Sequence, residues 1–113
     1  MTAVEKKYQQ INKNTLALLR SYRKSLQESG LEIEGVILFG SHAKGTQHEW
    51  SDIDIAVISS EFGKDRLAER VQLTRLGDKI SLAIEPHPFH PVDLADRWNS
   101  LAAEVKKYGI PIE

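Results

Sequence analysis

A single α/β domain covering residues 1–113 is the fold class the sequence predicts, and three observations lead there. Helix-period apolar stripes alternate along the chain with short runs of branched apolar residues. The length of 113 residues suits one domain. A hydrophobic fraction of 41% and a charged fraction of 27%, at a formal net charge of −1, belong to a globular protein and not to a disordered chain. No internal repeat, linker or low-complexity segment breaks the pattern.

The first thirty residues read as one helix. Thr2 and Glu5 have the spacing of a capping box, and Val4, Tyr8, Ile11, Leu18, Leu19, Tyr22 and Leu26 form one apolar stripe. Gly30 suits the C-terminal cap. Lys6, Lys7, Lys13, Arg20, Arg23 and Lys24 make the helix basic, read as a solvated outer face. Gly35 to Phe39 is a short buried strand that stops at Gly40-Ser41, and a polar stretch follows to Trp50. Asp52 to Ile58 is a second strand, acids on one face and branched apolar residues on the other. After a loop around Gly63, Asp65 caps a helix that carries Leu67, Val71 and Leu76 and ends near Gly77-Asp78. A third strand, Ser81 to Glu85, is expected to end at Pro86, whose ring removes a ladder donor. Pro91 opens a last helix through Leu94, Trp98, Leu101, Val105 and Tyr108, closed by Gly109, and Ile110 to Ile112 add an edge strand.

Composition excludes several chemistries. Without cysteine there is no disulfide framework, thiolate zinc site or Cys nucleophile. The near-neutral charge argues against strong nonspecific nucleic-acid binding, which needs a large positive field. Residues Met1 to Tyr8 contain no apolar signal region, and no apolar run approaches the roughly 18–20 residues that span a bilayer, so a soluble, cytoplasmic protein is expected.

The informative segment is Gly40-Ser41-His42-Ala43-Lys44-Gly45, followed by Ser51-Asp52-Ile53-Asp54. A strand that ends in Gly-Ser and enters a helix presents free backbone amides to a phosphate. Gly40 permits close approach, Ser41 adds a hydroxyl donor and Gly45 a sharp turn. Asp52 and Asp54, two apart on a strand, point to one face, where like charges repel unless a cation lies between them. Magnesium, which combines one or two carboxylates with substrate phosphates, is the expected partner. Glu85 closes the third strand and would face the aspartates if the strands are neighbours, sharing a metal or accepting a proton from an attacking hydroxyl. Together these groups suggest metal-assisted phosphoryl or nucleotidyl transfer.

Other motifs fail. A Walker A loop needs Lys before the hydroxyl residue, but Lys44 precedes Gly45. A calcium loop needs glycine where Val57 stands. His87 and His90, a pair without a third ligand, read as surface or proline-turn residues. His42 and His48 read the same way, although His42 lies within the phosphate loop.

Gly40-Ser41-x-x-x-Gly45 followed by Ser51-Asp52-Ile53-Asp54-Ile55-Ala56-Val57 resembles the signature of the polymerase-β-type nucleotidyltransferases. The short chain resembles their minimal members, which often pair with HEPN-domain proteins as toxin–antitoxin modules. The resemblance implies the nucleotidyltransferase fold, a small mixed β-sheet flanked by helices. It also implies magnesium, two ions, and transfer of a nucleoside monophosphate from ATP or another nucleoside triphosphate. Gly40, Ser41, Lys44 and Gly45 then bind the nucleotide, while Asp52, Asp54 and Glu85 are the metal-binding, catalytic carboxylates. Asp78 is a poorer alternative third acid, because it falls at a helix end. His42 and Lys44 stand where other members often carry arginine. The implied acceptor is a hydroxyl, commonly a tyrosine, on a HEPN-domain toxin encoded nearby. A lone catalytic core would borrow surface from that partner or from a second copy as a homo-oligomer. Two competing readings remain: an antitoxin that neutralises its partner by contact alone, and a transferase acting on a small molecule or an RNA end.

Overall fold

The computed structural model describes residues 3–113, so the Thr2 capping box lies outside the described residues, as do the side chains of Val4 and Lys7. The N-terminal third forms two helices where one was expected: α1 (Ala3–Tyr8) and α2 (Lys13–Glu28). The break has a chemical cause. The Asn12 side chain accepts from the amides of Asn14 and Thr15 and starts a new helix there. The apolar stripe survives the break, because Ile11, Leu19, Tyr22 and Leu26 are all buried. Lys6, Lys13, Arg20 and Lys24 are exposed, as a solvated basic face requires.

Strand β1 (Gly35–Phe39) runs into a one-turn helix α3 (Ser41–Lys44), and β2 (Ile53–Ile58) returns antiparallel to β1 with Phe39 opposite Asp54. Helix α4 (Arg66–Asp78) is capped by Asp65, which accepts from the Ala68 amide, and Glu69 ties down the amides of Gly63, Lys64 and Asp65. Its expected stripe is displaced. Leu67 is 75% exposed and Val71 is exposed, whereas Leu73 and Gly77 are buried. The Tyr22 hydroxyl donates to the Leu73 carbonyl at 2.9 Å and joins α2 to α4.

Strand β3 (Ile84–Phe89) lies parallel to β2, with Asp54 opposite Glu85 and Ala56 opposite His87. It begins three residues later than expected and runs straight through Pro86 and Pro88. The backbone carbonyls of Ala83 and Phe89 bond to Ile53 and Ser59, so odd-numbered residues face β2 and the two prolines face the open edge. Their missing N–H groups cost the ladder nothing.

The expected last helix is also two: α5 (Pro91–Ala95) and α6 (Ser100–Tyr108). Asp96 accepts from the Trp98 amide and Asn99 caps α6, so local side-chain bonds divide the segment and leave Trp98 83% exposed. Strand β4 (Ile110–Pro111) pairs antiparallel with β1 and gives the sheet order β3-β2-β1-β4. The mixed sheet separates two apolar layers. Val36, Leu38, Ile55, Val57 and Ile84 pack with α2 and α4, whereas Phe39, Ala56, Ile58 and Phe89 pack with Ala102 and Val105 of α6. Strand alternation places Asp54, Glu85 and His87 on the α6 side.

Candidate active site

Three strands deliver the site. Phe39 closes β1, and the chain turns at Gly40, whose φ of 75° and ψ of −156° belong to a region open essentially to glycine. A Cβ on Gly40 would strike the Asp54 carboxylate, so the glycine lets the turn and that acid lie against each other. The amides of Ala43 and Lys44 bond back to the Gly40 carbonyl, while those of Ser41 and His42 stand at the open start of the turn. Gly45 ends α3 in the left-handed region, with its amide bonded to the Ser41 carbonyl.

Opposite this turn, Asp54, Glu85 and His87 offer ligand atoms that all lie within 4.8 Å of one another. Asp54 and Glu85 meet because they are register partners on parallel strands, and His87 joins them two residues along β3. His87 Nε2 is 3.3 Å from Asp54 Oδ1, and its ring packs against Phe39 at 5.3 Å. Glu85 accepts from Arg70 of α4 at 3.0 Å. Asp52 precedes β2, is exposed, and is not a member of this group of three. Asp78 is no member either; it lies at the C-terminal end of α4, near Tyr22.

Lys44 turns toward α6. Its Nζ is 2.6 Å from Glu104 Oε1 and 4.8 Å from the centre of the Tyr108 ring. The hydrogen bond that Lys44 donates to Glu104 raises the lysine pKa; desolvation opposes it, and the Glu104, Tyr108 and Asp54 charges add to it. His90 is a cap: its side chain accepts from the Val92 amide, and Asp93 completes a capping box. His42 contacts the Ser51 carbonyl at 3.4 Å.

His87 is the member of this cluster that the sequence reading set aside. Its signal was present: Glu85 and His87 are two apart, the spacing that puts side chains on one face of a strand. Ending the strand at Pro86 concealed it.

Residues 19–106 match the family model described as nucleotidyltransferase domain. The chain belongs to that family. The chain is 32% identical over 88 residues to the protein adenylyltransferase MntA of Shewanella oneidensis, an alignment covering 78% of the chain and 52% of that protein. The chain thus spans about half the length of that curated relative. Among solved structures it is similar to a toxin–antitoxin crystallised with AMP-PNP, with a TM-score of 0.63 and 27% identity over 83% of this chain and 71% of that one. A mutant MntA–HpeT toxin–antitoxin matches with a TM-score of 0.62 and 25% identity over the same shares. No helix among the described residues is long and apolar enough to cross a membrane.

Proposed function

We propose that this nucleotidyltransferase moves AMP from ATP to a hydroxyl, commonly a tyrosine, on a HEPN-type toxin partner in the cytoplasm, acting as the antitoxin of the pair. The observation that carries the reading is the convergence of Asp54, Glu85 and His87 beside the Gly40–Ser41 turn. Two carboxylates in register form an oxygen-rich set of the kind magnesium takes, so the residues present fit that ion. Asp54 and Glu85 would hold it, with Asp52 contributed from just before β2. Magnesium supplies charge neutralisation on the transferring phosphoryl group.

The chain's own groups divide the remaining work. Ser41 and the amides at the start of α3 bind triphosphate oxygens. His87 holds Asp54 in place through the 3.3 Å contact. The acceptor oxygen attacks the α-phosphorus and the bond to the departing pyrophosphate breaks. The hydroxyl proton passes to a carboxylate oxygen of Glu85.

The test is transfer of labelled AMP to the neighbouring HEPN-type protein, alongside a pull-down with the same variant. Glu85→Gln should lower transfer by about 10²–10⁴-fold and keep partner binding, because the amide preserves size and removes charge. Full transfer by Glu85→Gln would remove Glu85 from the reaction. A tight wild-type complex with no transfer would instead establish neutralisation by contact.

A further inference from the structure

A cavity adjoins the triad on the side away from the phosphate turn. Its volume is about 190 Å³, and Arg66, Arg70, His87, Phe89, Asn99 and Leu101 line it. His87 belongs to both the triad and the cleft, and Arg70 reaches from the cleft wall to Glu85. The sheet order sets the sequence of parts. The phosphate turn follows β1, Asp54 lies on β2, Glu85 and His87 lie on the edge strand β3, and the cleft lies beyond them with α4. In-line displacement requires the attacking oxygen and the leaving pyrophosphate on opposite sides of the phosphorus. With the triphosphate at the turn, the cleft is the side from which an acceptor enters.

We infer that this cleft is the acceptor subsite, and that Arg66 and Arg70 select a hydroxyl side chain flanked by acidic residues of a protein segment. The inference rests on the transferase reading for its orientation and on the cleft itself for its chemistry. The volume is below the roughly 300–1,000 Å³ of small-molecule pockets, and suits one inserted side chain and not a whole nucleoside. Phe89, Leu101 and the His87 ring give it an apolar wall. Above that wall stand two guanidiniums, 63% and 48% exposed for Arg66 and Arg70. Each forms one ion pair through its Nη2, to Asp93 and to Glu85, and keeps further N–H donors for an incoming carboxylate. Trp98, exposed next to Asn99, adds the kind of anchor that protein interfaces favour.

The probe is a fluorescent pentapeptide with a central tyrosine flanked by glutamates, compared with its glutamine-flanked counterpart. Binding is read by polarisation in the presence of magnesium and a non-hydrolysable ATP analogue. The acidic peptide should bind roughly tenfold tighter at low salt, and the difference should shrink as salt rises. Arg66→Gln combined with Arg70→Gln should bring the two peptides to equal affinity, with retained binding of the ATP analogue reporting an intact fold. Equal affinities in the wild type, or a preference that survives the double substitution, would overturn the assignment. Tighter, arginine-dependent binding of a short oligouridine than of the acidic peptide would overturn it in favour of an RNA acceptor. The same peptides with labelled ATP separate the two readings. Arginine-dependent peptide binding without AMP transfer upholds the cleft and sinks the transferase, and equal transfer to both peptides does the reverse.

Discussion

Gly40 shows how a single missing methyl group shapes the site. Its backbone sits where other residues are strained, and any Cβ would push against Asp54. Gly40→Ala should therefore lower stability by about 1–3 kcal/mol, measured by urea denaturation. It should also lower AMP transfer by about 10²-fold, because a small displacement of a catalytic group is that costly. Gly45→Asn is the matched control: φ of 75° and ψ of 20° suit asparagine, and nothing lies within 4 Å of the new Cβ. Its urea midpoint should stay close to that of wild type, since it changes neither charge nor contact near Asp54. Equal losses in both variants would mean that the turn matters only as a turn.

Among the elements, Tyr22 makes the bond between α2 and α4 pH-sensitive. Burial, and then the nearby Asp78 charge, push its phenol pKa well above the ordinary value, so the folded state holds a proton that the unfolded chain releases near pH 10. The contribution is fully present below that pH and is lost as pH rises through the alkaline range. Tyr22→Phe should cost about 1–2 kcal/mol at pH 7, through the lost hydrogen bond to the Leu73 carbonyl, and should flatten the alkaline decline in urea midpoints between pH 9 and 11. An unchanged decline would place its origin elsewhere. The elements also show what was legible. The four strands and the Gly-Ser and Asp-x-Asp segments stood out because strand periodicity and turn glycines are local signals. The two extra helix breaks did not, because Asn12 and Asn99 cap from within stripes whose apolar spacing continues across the gap. The α4 stripe was misread because Leu67 and Val71 have helical spacing, yet tertiary packing buries Leu73 and Gly77 instead. The run of β3 through Pro86 depended on which edge its amides face, a property of sheet order that no single strand carries. Of the site, Asp54 and Glu85 were legible and their meeting with His87 was not.

For the molecule as a whole, the site is assembled from β1, β2 and β3, so ligand binding should couple to global stability. Magnesium and a non-hydrolysable ATP analogue together, at 100 times the dissociation constant, should add about 2.7 kcal/mol and raise Tm by several degrees. Magnesium alone should add little, because two carboxylates leave most of its shell to water. Asp54→Asn should abolish the joint shift in a thermal melt, and an undiminished shift in that variant would move the nucleotide away from the triad.

The prolines on the sheet margins bear on how this protein can associate. At β3, Pro86 and Pro88 have no outward donor, and the Ile84 amide is already bonded to the Ser81 carbonyl. At β4, Pro111 has none either, and the Tyr8 hydroxyl occupies the Pro111 carbonyl and the Glu113 amide. Neither margin offers a full run of pairing donors, which disfavours edge-to-edge aggregation at both ends of the sheet. Any protein that docks on this chain is left with helices and loops to grip, with recognition written in side chains and not in backbone pairing.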